Sequence, residues 1–520
     1  MSTRRRLVTA TGGMAAVTMV SRLSGLVREK VVSALLGAGT ITDAFVTGLR
    51  IPNMFRAFLA EGSLHASFIP VLAEIRERGE AERERAFVRA MTTLLSLALP
   101  VVIAVGVLAA PLLVELFAAP FRAEPAKFAL AVKLTRLMFP YLGLISLAAL
   151  AQGVLNAHDR FLLPAATPIA LSLCIIAGTV TAVSFGGVRP EWLAVGVVAG
   201  GLAQLALQVP ICRRLGLPLL PGAGALTNPD VRRVLRLMLP GLPALGVYEI
   251  SLLLSNRFAS SVGNGAVTCV YQASRLNELV YGVAIVQLTT AVLPMLSAER
   301  TRDEAAARGT VGFATRVLSA LALPAAAFAA AAAVPIVGAL LGGGRYTPET
   351  VRVTAAALTL YAAGLPFLGL VRLQAGVSFA WNDTRTPLFA AIGNLVVFFV
   401  AGSTLTAPFG AAGVAAAASL GQVANAALLL ALNGRAGRLP PAASVLPAVA
   451  RHAAAAALVL VAVGLVVRAV PAPLATGLRS LAALGLYAWV GGVVYLAALA
   501  ALRATELREA WAFVRRRQKP

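Results

Sequence analysis

Long apolar stretches, separated by short charged or Gly- and Pro-containing loops, follow one another along the whole chain. Stretches of about 20 apolar residues, the length that crosses a bilayer as a helix, predict fourteen helices. Their approximate bounds are 7–36, 41–73, 87–117, 128–157, 161–185, 191–212, 231–261, 267–297, 309–341, 350–380, 387–406, 411–433, 443–468 and 477–503. Pro52, Pro140 and Pro366 are expected to kink the second, fourth and tenth. This pattern predicts an all-α integral membrane protein, because helices satisfy their own backbone hydrogen bonds in lipid.

Composition supports embedding of the entire chain. The 520 residues are 59% apolar and only 13% charged, and the mean hydropathy is +0.83. Soluble proteins carry about 25% charged residues, so a single membrane anchor would not give these values. The formal net charge of +23 lies in short loops, with no aromatic-rich polar domain, so the sequence predicts no nucleic-acid partner. Cys174, Cys212 and Cys269 lie in apolar stretches and predict neither a disulfide frame nor a metal site.

Basic residues concentrate in alternate loops, and this bias predicts the orientation in the membrane. One side holds 4–6, 74–89, 213–214, 232–233, Arg300, Arg302, Arg308, Arg435, Arg438 and the tail 515–519. The other side holds Arg122, Lys127, Arg189, Arg345, Arg352, Arg468 and Arg479. The positive-inside rule therefore predicts that both termini are cytoplasmic, which requires an even number of spans. The mixed run 74–89 is expected to be a solvated helix extension.

A weak internal repeat divides the chain. Gly37 and Gly39 match Gly263 and Gly265 at an offset of 226 residues, and Pro-Tyr-Leu-Gly-Leu at 140–144 matches Pro-Phe-Leu-Gly-Leu at 366–370. The repeat predicts two six-helix lobes, 1–215 and 228–435, related by a pseudo-two-fold axis along the membrane normal. The remaining segment, 440–520, holds helices 13 and 14 and a basic cytoplasmic tail.

Ionisable residues interrupt the first two apolar stretches, where lipid-facing side chains are expected. They are Arg22, Arg28, Arg50, Arg56, Glu29, Asp43 and Glu61. Such groups at membrane depth cost at least about 2.5 kcal/mol, so they usually face a wet cavity and mark a substrate path. Arginines in such a cavity predict an anionic substrate, and guanidinium forks suit phosphate in particular.

Two of these pairs have a structural alternative. Arg22 and Glu29 are seven residues apart, as are Asp43 and Arg50, so each pair spans two turns and shares a helix face. Ion pairing that fixes helix register therefore stays open for both. Arg28 lies on a different helix face from Arg22, and Glu29 can neutralise only one of the two arginines. Arg28 is therefore expected to have no acidic residue committed to it.

The second half supplies further charged and amide side chains. Arg275 and Glu278 are three residues apart and could form a local pair, and Arg372 lies in the tenth stretch. Asn256, Asn277 and the pair Asn382-Asp383 could bind a cation, although helix capping is the commoner role for such residues. The sequence contains no P-loop, HExxH or G-x-S-x-G motif, so the driving force is expected to be an ion gradient or the membrane potential.

Ordered motifs at several places resemble one family. They are Ser21-Arg22, Gly25, Arg28-Glu29, Gly37-Ala38-Gly39, Thr42-Asp43-Ala44-Phe45, Pro52-Asn53, Arg56, Ala60-Glu61-Gly62, Phe68, Pro70, Arg275, Glu278 and 382–387. This pattern is similar to the MurJ/MviN lipid II flippases of the multidrug/oligosaccharidyl-lipid/polysaccharide exporter superfamily. The resemblance covers essentially the whole chain. One departure is Ser274, where family members often have an acidic residue.

The resemblance implies a monomeric transporter, not an enzyme, in the bacterial plasma membrane. Its substrate would be lipid II, the undecaprenyl-diphosphate-linked peptidoglycan precursor, and its extra helix pair would hold the lipid tail. The cavity positions that carry over by resemblance are Arg22, Arg28, Asp43, Arg56, Glu61, Arg275, Glu278 and Arg372. No cofactor or metal is implied, while coupling to a monovalent cation or to the membrane potential stays open.

Other partners and functions also stay open. Membrane lipids are expected partners, and other cell-wall synthesis proteins stay open as further partners. An exporter of another lipid-linked glycan or of a drug is the main alternative, although a drug exporter would suit a cavity of aromatic residues and carboxylates. A polyprenyl-phosphate transferase is the remaining alternative, and the sequence shows no metal-binding carboxylate set for it.

Overall fold

The computed structural model describes residues 3–59, 63–184, 186–222, 224–239 and 242–502. Within these ranges all the regular structure is helical. The helices are α1 (Thr3–Leu36), α2 (Thr40–Leu59), α3 (Ser63–Glu77), α4 (Ala81–Leu108), α5 (Ala110–Ala118), α6 (Pro125–Met138), α7 (Pro140–Ala157), α8 (Leu162–Ser184), α9 (Glu191–Arg214), α10 (Pro229–Met238), α11 (Leu242–Val262), α12 (Ala266–Arg300), α13 (Glu304–Ala331), α14 (Ala333–Leu341), α15 (Pro348–Ala380), α16 (Arg385–Arg435), α17 (Leu446–Ala469) and α18 (Leu478–Ala501). The predicted all-helical class is confirmed.

Each predicted apolar stretch coincides with one helix, with two successive helices, or with half of α16. The break between α6 and α7 falls at Phe139, directly before Pro140, as expected for a proline at the first position of a helix. Pro52 and Pro366 lie inside α2 and α15. In the described ranges, nine helices are long and apolar enough to cross a membrane. The count of fourteen crossings stays a prediction.

Helix α16 contains two predicted stretches, which meet at Gly410. This residue has φ 57° and ψ −134°, outside the helical region. Glycine adopts a positive φ without the steric cost that a Cβ atom brings. The chain therefore turns at Gly410, between the predicted stretches 387–406 and 411–433.

The chain forms two compact units, Met1–Glu249 and Ile250–Pro520, and the division falls inside α11. The sequence instead predicts that the first lobe ends at 215 and the second begins at 228. Helix α10, which lies between the predicted lobe boundary and the observed one, packs on α3 and α4 of the first unit. The domain bounds 1–215, 228–435 and 440–520 stay predictions.

The charged run 74–89 forms the end of α3, a turn and the start of α4, and most of it is exposed. It also anchors α10. Arg83 donates from Nε and Nη2 to the buried carboxylate of Asp230, at 2.9 and 2.8 Å, and Arg233 pairs with Glu74 at 2.7 Å. The Arg233 hydrogen bond lowers the pKa of Glu74 below its ordinary value. The run is thus a solvated extension, as predicted. It also holds α10 in place through these two ion pairs.

Glycines allow close approach of helices in the first unit. A Cβ atom on Gly196 would lie 2.7 Å from the carbonyl oxygen of Cys174, and one on Gly178 would lie 2.4 Å from that of Trp192. Helices α8 and α9 therefore meet backbone to backbone. Small residues commonly have this role at helix interfaces in membranes, since lipid gives little hydrophobic drive for association.

The last two helices belong to the second unit. Val459 and Val463 of α17 and Tyr487 of α18 form a buried cluster with Ala332. The hydroxyl of Tyr495 donates to the carbonyl oxygen of Ala320 in α13 at 2.7 Å. Helices α17 and α18 are therefore fixed on α13.

Both blocks of the sequence repeat have local structural counterparts. Gly37 follows α1 with φ 70°, and Gly263 follows α11 with φ 137°. Near the second block, Arg76 donates to the carbonyl oxygen of Ala157 at the end of α7. Arg300 donates in the same way, at 2.6 Å, to that of Ala380 at the end of α15. These are similarities within each unit, and the pseudo-two-fold axis stays a prediction.

Candidate functional site

Helix α1 presents two of the predicted arginines, Arg22 and Arg28, and both are partly exposed. The Nη2 atom of Arg28 lies 2.5 Å from Oε1 of Glu29, and the side chains are 21% and 11% exposed. The expectation that no acidic residue is committed to Arg28 is therefore wrong. Adjacent residues point to different helix faces, but the long guanidinium arm bends round the helix to reach the buried carboxylate.

Asp43, at the start of α2, is fully buried. Its Oδ2 atom lies 2.9 Å from the Nζ atom of Lys127 in α6, and the two side chains are 0% and 1% exposed. The ammonium group also lies 4.5 Å from the centre of the Phe121 ring. This pair joins α2 to α6 inside the first unit. In this conformation the Asp43 carboxylate faces Lys127 within the protein and not a solvent-filled space, and its role in substrate binding stays a prediction.

The remaining predicted residue of α2 in the described ranges is Arg56, in its last turn. It is partly exposed, four residues after Pro52. Glu61 lies outside the described residues. In the first unit, the structure thus leaves Arg22, Arg28 and Arg56 partly accessible.

In the second unit, Arg275 and Glu278 lie on α12 and form the local pair that their spacing allowed. The Nη1 and Oε2 atoms are 2.7 Å apart, and the side chains are 48% and 45% exposed. The Arg275 guanidinium also lies 5.1 Å from the centre of the Tyr271 ring. An exposed pair of this kind contributes little to stability, typically below about 1 kcal/mol, so both groups are available to a ligand at little cost.

Arg372 is exposed on α15, where it lines a cavity of about 530 Å³ between α12 and α15. Its Nε atom donates to Oγ1 of Thr289 on α12 at 3.1 Å. Most of the cavity lining is apolar: Val292, Leu293, Pro294, Leu296, Leu373, Ala375, Gly376 and Phe379. The cavity therefore offers one cationic group at an otherwise apolar wall.

The pair Asn382-Asp383 forms a cap. The Asp383 carboxylate accepts from the backbone N–H groups of Arg385 and Thr386, both at 3.0 Å, and from Nη1 of Arg438 at 2.7 Å. Burial alone would raise the pKa of Asp383, but the hydrogen bonds from Thr386 and Arg438 hold it well below its ordinary value. The capping role expected at this position is confirmed for Asp383. Asn256 and Asn277 are buried on α11 and α12.

Comparison with known proteins decides the family. The family model described as "Lipid II flippase MurJ" matches residues 32–483. The chain belongs to the lipid II flippase MurJ family. The curated MurJ-family protein of Burkholderia cenocepacia is 35% identical over 433 residues, covering 82% of this chain and 83% of that protein. A probable lipid II flippase MurJ of Rhizobium meliloti is also 35% identical, over 80% of this chain and 78% of its own.

Solved structures agree with this assignment at the level of the fold. The structure of a lipid II flippase MurJ in an inward closed conformation matches 93% of this chain and 97% of its own, with a TM-score of 0.78 and 21% identity. An inward-facing multidrug resistance MATE family transporter of the MOP superfamily matches 82% of this chain with a TM-score of 0.62 and 14% identity. At these identities the likeness shows a shared fold. The resemblance to the MurJ family noted in the sequence is confirmed.

Sequence reasoning missed the two residues that hold predicted site residues in place. Lys127 was assigned to a loop because it lies one residue before an apolar stretch, yet it is buried against Asp43. Thr289 was unremarkable inside an apolar stretch, yet it fixes the guanidinium of Arg372. The available signal in the sequence is a lysine directly before the apolar run that begins at Phe128, and this signal does not identify the partner.

Proposed function

We propose that this protein moves lipid II from the inner to the outer leaflet of the bacterial plasma membrane. The observation that carries the proposal is the match of residues 32–483 to the lipid II flippase family, in which transport and not chemical conversion is the activity. The family and the nine apolar helices of the described ranges indicate a multi-pass protein of the inner membrane.

In this proposal the diphosphate is held mainly by Arg22, Arg28 and Arg56. All three side chains are partly exposed in the first unit. Arg28 donates from Nε and Nη2 to Glu29, and a guanidinium carries five N–H donors in a planar fork. Arginine suits this role because its fork makes paired, charge-assisted hydrogen bonds to phosphate.

Glu29 has a second effect in the proposed site. Its carboxylate lowers the net positive charge beside Arg28, and it holds the guanidinium in one orientation before substrate arrives. A fully unneutralised cluster would bind the diphosphate more tightly but would also release it more slowly. The ion pair therefore favours transport, which requires binding that is reversible.

Arg275, Glu278 and Arg372, in the second unit, are also proposed as substrate-binding residues. Arg275 and Glu278 are exposed, and their ion pair is expected to contribute little to stability. Arg372 stands at an apolar wall beside Thr289. We assign these residues to the headgroup of the same substrate, and we propose that the protein acts as a monomer with fourteen crossings and cytoplasmic termini.

The proposed cycle is alternating access, with the two lobes moving about the substrate while the prenyl chain remains in lipid. The membrane potential has the correct sign to drive it. Two negative charges that leave a negative interior across 100 mV gain about 4 to 5 kcal/mol. A monovalent cation gradient is the alternative energy source in this proposal, and no organic cofactor is required.

Transport can be measured directly in cells depleted of this protein. We expect lipid II exposure at the outer surface to fall on depletion and to recover when the wild-type chain is expressed. Arg28→Ala and Arg56→Ala are expected to restore less than about a tenth of the exposure, because each removes charge-assisted hydrogen bonds to phosphate. Arg122→Ala, an exposed arginine outside the proposed site, is the matched control and should restore exposure fully.

The same experiment separates transport from chemistry. Radiolabelled lipid II should appear on the outer leaflet chemically unchanged, whereas a transferase would convert it. Full recovery by both arginine variants, at wild-type levels of inserted protein, would remove Arg28 and Arg56 from the site. Unchanged exposure after depletion, in cells with no second flippase, would refute the proposed function itself.

A further inference from the structure

A second cationic pocket lies in the first unit, and none of its lining residues is assigned to lipid II. It has a volume of about 530 Å³ and lies where α5 meets α6. Its lining combines two cationic side chains with an apolar wall: Lys133, Arg136, Pro111, Phe128, Ala129, Val132 and Leu137. All of these residues are on the first unit, so the pocket is complete within it.

The position of the pocket places it beside lipid. Helices α4 and α5 carry a stripe of exposed large apolar side chains at intervals of three or four residues: Leu97, Val101, Val105, Leu108, Leu112 and Leu116, between 50% and 78% exposed. Such a one-sided apolar stripe is the lipid-facing side of a membrane helix. Pro111 lies between the last members of this stripe and forms part of the pocket wall.

The depth of the pocket is the membrane interface. Lys133 reaches the carboxylate of Glu191, the first residue of α9, and Trp192 follows with 38% of its surface exposed. Tryptophan is enriched where hydrocarbon meets headgroups. These features place the pocket where acyl chains are expected on one side and headgroups on the other. The bias of basic residues predicts that this is the outer side.

Arg136 is held at the pocket by a backbone carbonyl group that lacks its usual hydrogen-bond donor within the helix. The carbonyl oxygen of Val107 would normally accept from the N–H group four residues later, but that residue is Pro111, which has none. The Nε atom of Arg136 donates to it instead, at 3.2 Å. This contact fixes the plane of the guanidinium and leaves the donors of both Nη atoms for another acceptor.

The charges at the pocket suit a phosphate group. Lys133 and Arg136 contribute two positive charges, and Glu191 removes one of them. Within the described ranges, Arg136 makes no ion pair. Arg189 also acts on Glu191, so the pocket and its surroundings keep a net positive charge, which suits a phosphate group. The apolar wall then suits acyl chains attached to that phosphate.

We propose that this pocket binds an anionic glycerophospholipid, with its phosphate on Arg136 and Lys133 and an acyl chain along Phe128, Val132 and Leu137. The site would fix the junction of α5, α6 and α9 in the outer interface. It does not depend on lipid II, because none of its residues belongs to the proposed flippase site. Its failure and the failure of the proposed function are therefore separate results.

The test uses the full chain in phosphatidylethanolamine nanodiscs. They contain a small fraction of phosphatidylglycerol with a photoactivatable group on one acyl chain, and adducts are mapped by peptide mass spectrometry. We expect adducts on α5 and α6 near Phe128 and Leu137. Arg136→Gln should reduce them about tenfold, the loss of one or two charge-assisted hydrogen bonds. Arg352→Gln removes the same charge from an exposed arginine on α15 of the second unit, and it should leave the adducts unchanged.

Further measurements decide between occupants. Arg136→Lys should retain much of the labelling, because it keeps the charge, and thermal unfolding checks that each variant is folded. Equal labelling of Arg136→Gln and Arg352→Gln would overturn the proposal. So would equally strong labelling of the pocket by a phosphatidylcholine probe. Displacement of the adducts by an equimolar polyprenyl diphosphate would overturn the assignment to a single phosphate.

Discussion

Lys127 illustrates how far the environment of one residue can differ from its sequence context. It begins an apolar stretch, where a lysine is normally solvated, yet the structure buries it completely against Asp43 and the ring of Phe121. A buried ion pair gains little net stability when formed, because both ions lose their hydration. Removing one partner is costly, since the other charge stays buried.

Lys127→Met is therefore expected to lower the free energy of unfolding by about 3–5 kcal/mol, the usual loss when one partner of a buried pair is removed. Denaturant unfolding in detergent measures the loss. Lys133→Met, at a lysine that is 58% exposed in its own ion pair, is the matched control and should cost less than about 1 kcal/mol. The double variant Lys127→Met with Asp43→Leu should recover much of the loss. Equal stability of the two single variants would contradict this account.

Asp383 predicts a pH dependence of stability. Its pKa in the folded state lies below the ordinary value of 3.8, so the unfolded state takes up the proton first as the pH falls. The stabilisation is fully present above about pH 4 and declines at lower pH. We expect wild type to unfold at a higher temperature than Asp383→Asn at pH 7, with the difference shrinking at pH 3. A difference that is constant between these pH values would count against the carboxylate as its source.

Helices in this protein meet through glycines as well as through large apolar side chains. The contact between Gly196 of α9 and the backbone of Cys174 in α8 leaves no room for a Cβ atom. By contrast, Gly492 of α18 is exposed and has no atom within 4 Å of a Cβ position. The same residue type thus has an interfacial role in one helix and none in another.

Gly196→Ala is expected to destabilise the protein by about 1–3 kcal/mol, because α8 and α9 must separate to admit the methyl group. Gly492→Ala adds the same methyl group in open space. It should be neutral or stabilising by up to about 1 kcal/mol, the difference in helix propensity between the two residues. Thermal unfolding of both variants in one detergent makes the comparison. Similar losses for both would show that close packing at Gly196 is not the cause.

For the whole molecule, the bias of arginines between loops predicts which ends face the cytoplasm. Arg302 and Arg345 are exposed and lie in the turns at opposite ends of α13 and α14. In intact spheroplasts, a membrane-impermeant maleimide is expected to label Arg345→Cys and not Arg302→Cys. Wild type, with Cys174, Cys212 and Cys269 present, measures the background. Labelling of Arg302→Cys alone would show that the orientation is the reverse of the predicted one.

The sequence by itself determined the helical class, the position of each apolar stretch and the family. These follow from local causes: the length of apolar runs, the prolines and glycines that end them, and motifs such as Asp43-Ala44-Phe45. The pairing of Arg275 with Glu278 was also accessible, because residues three apart on a helix are neighbours. The cap at Asp383 was accessible for the same reason.

Only the tertiary structure decided which charged groups are paired and which are exposed. The partner of Asp43 is 84 residues away, and no periodicity along the chain encodes that contact. Arg28 pairs with Glu29 because its long side chain can bend to reach an adjacent residue. The helix faces of the two residues alone would not predict this contact. The energetic contribution of a charged group depends on its burial and on its distance to other charges. Helix packing fixes both.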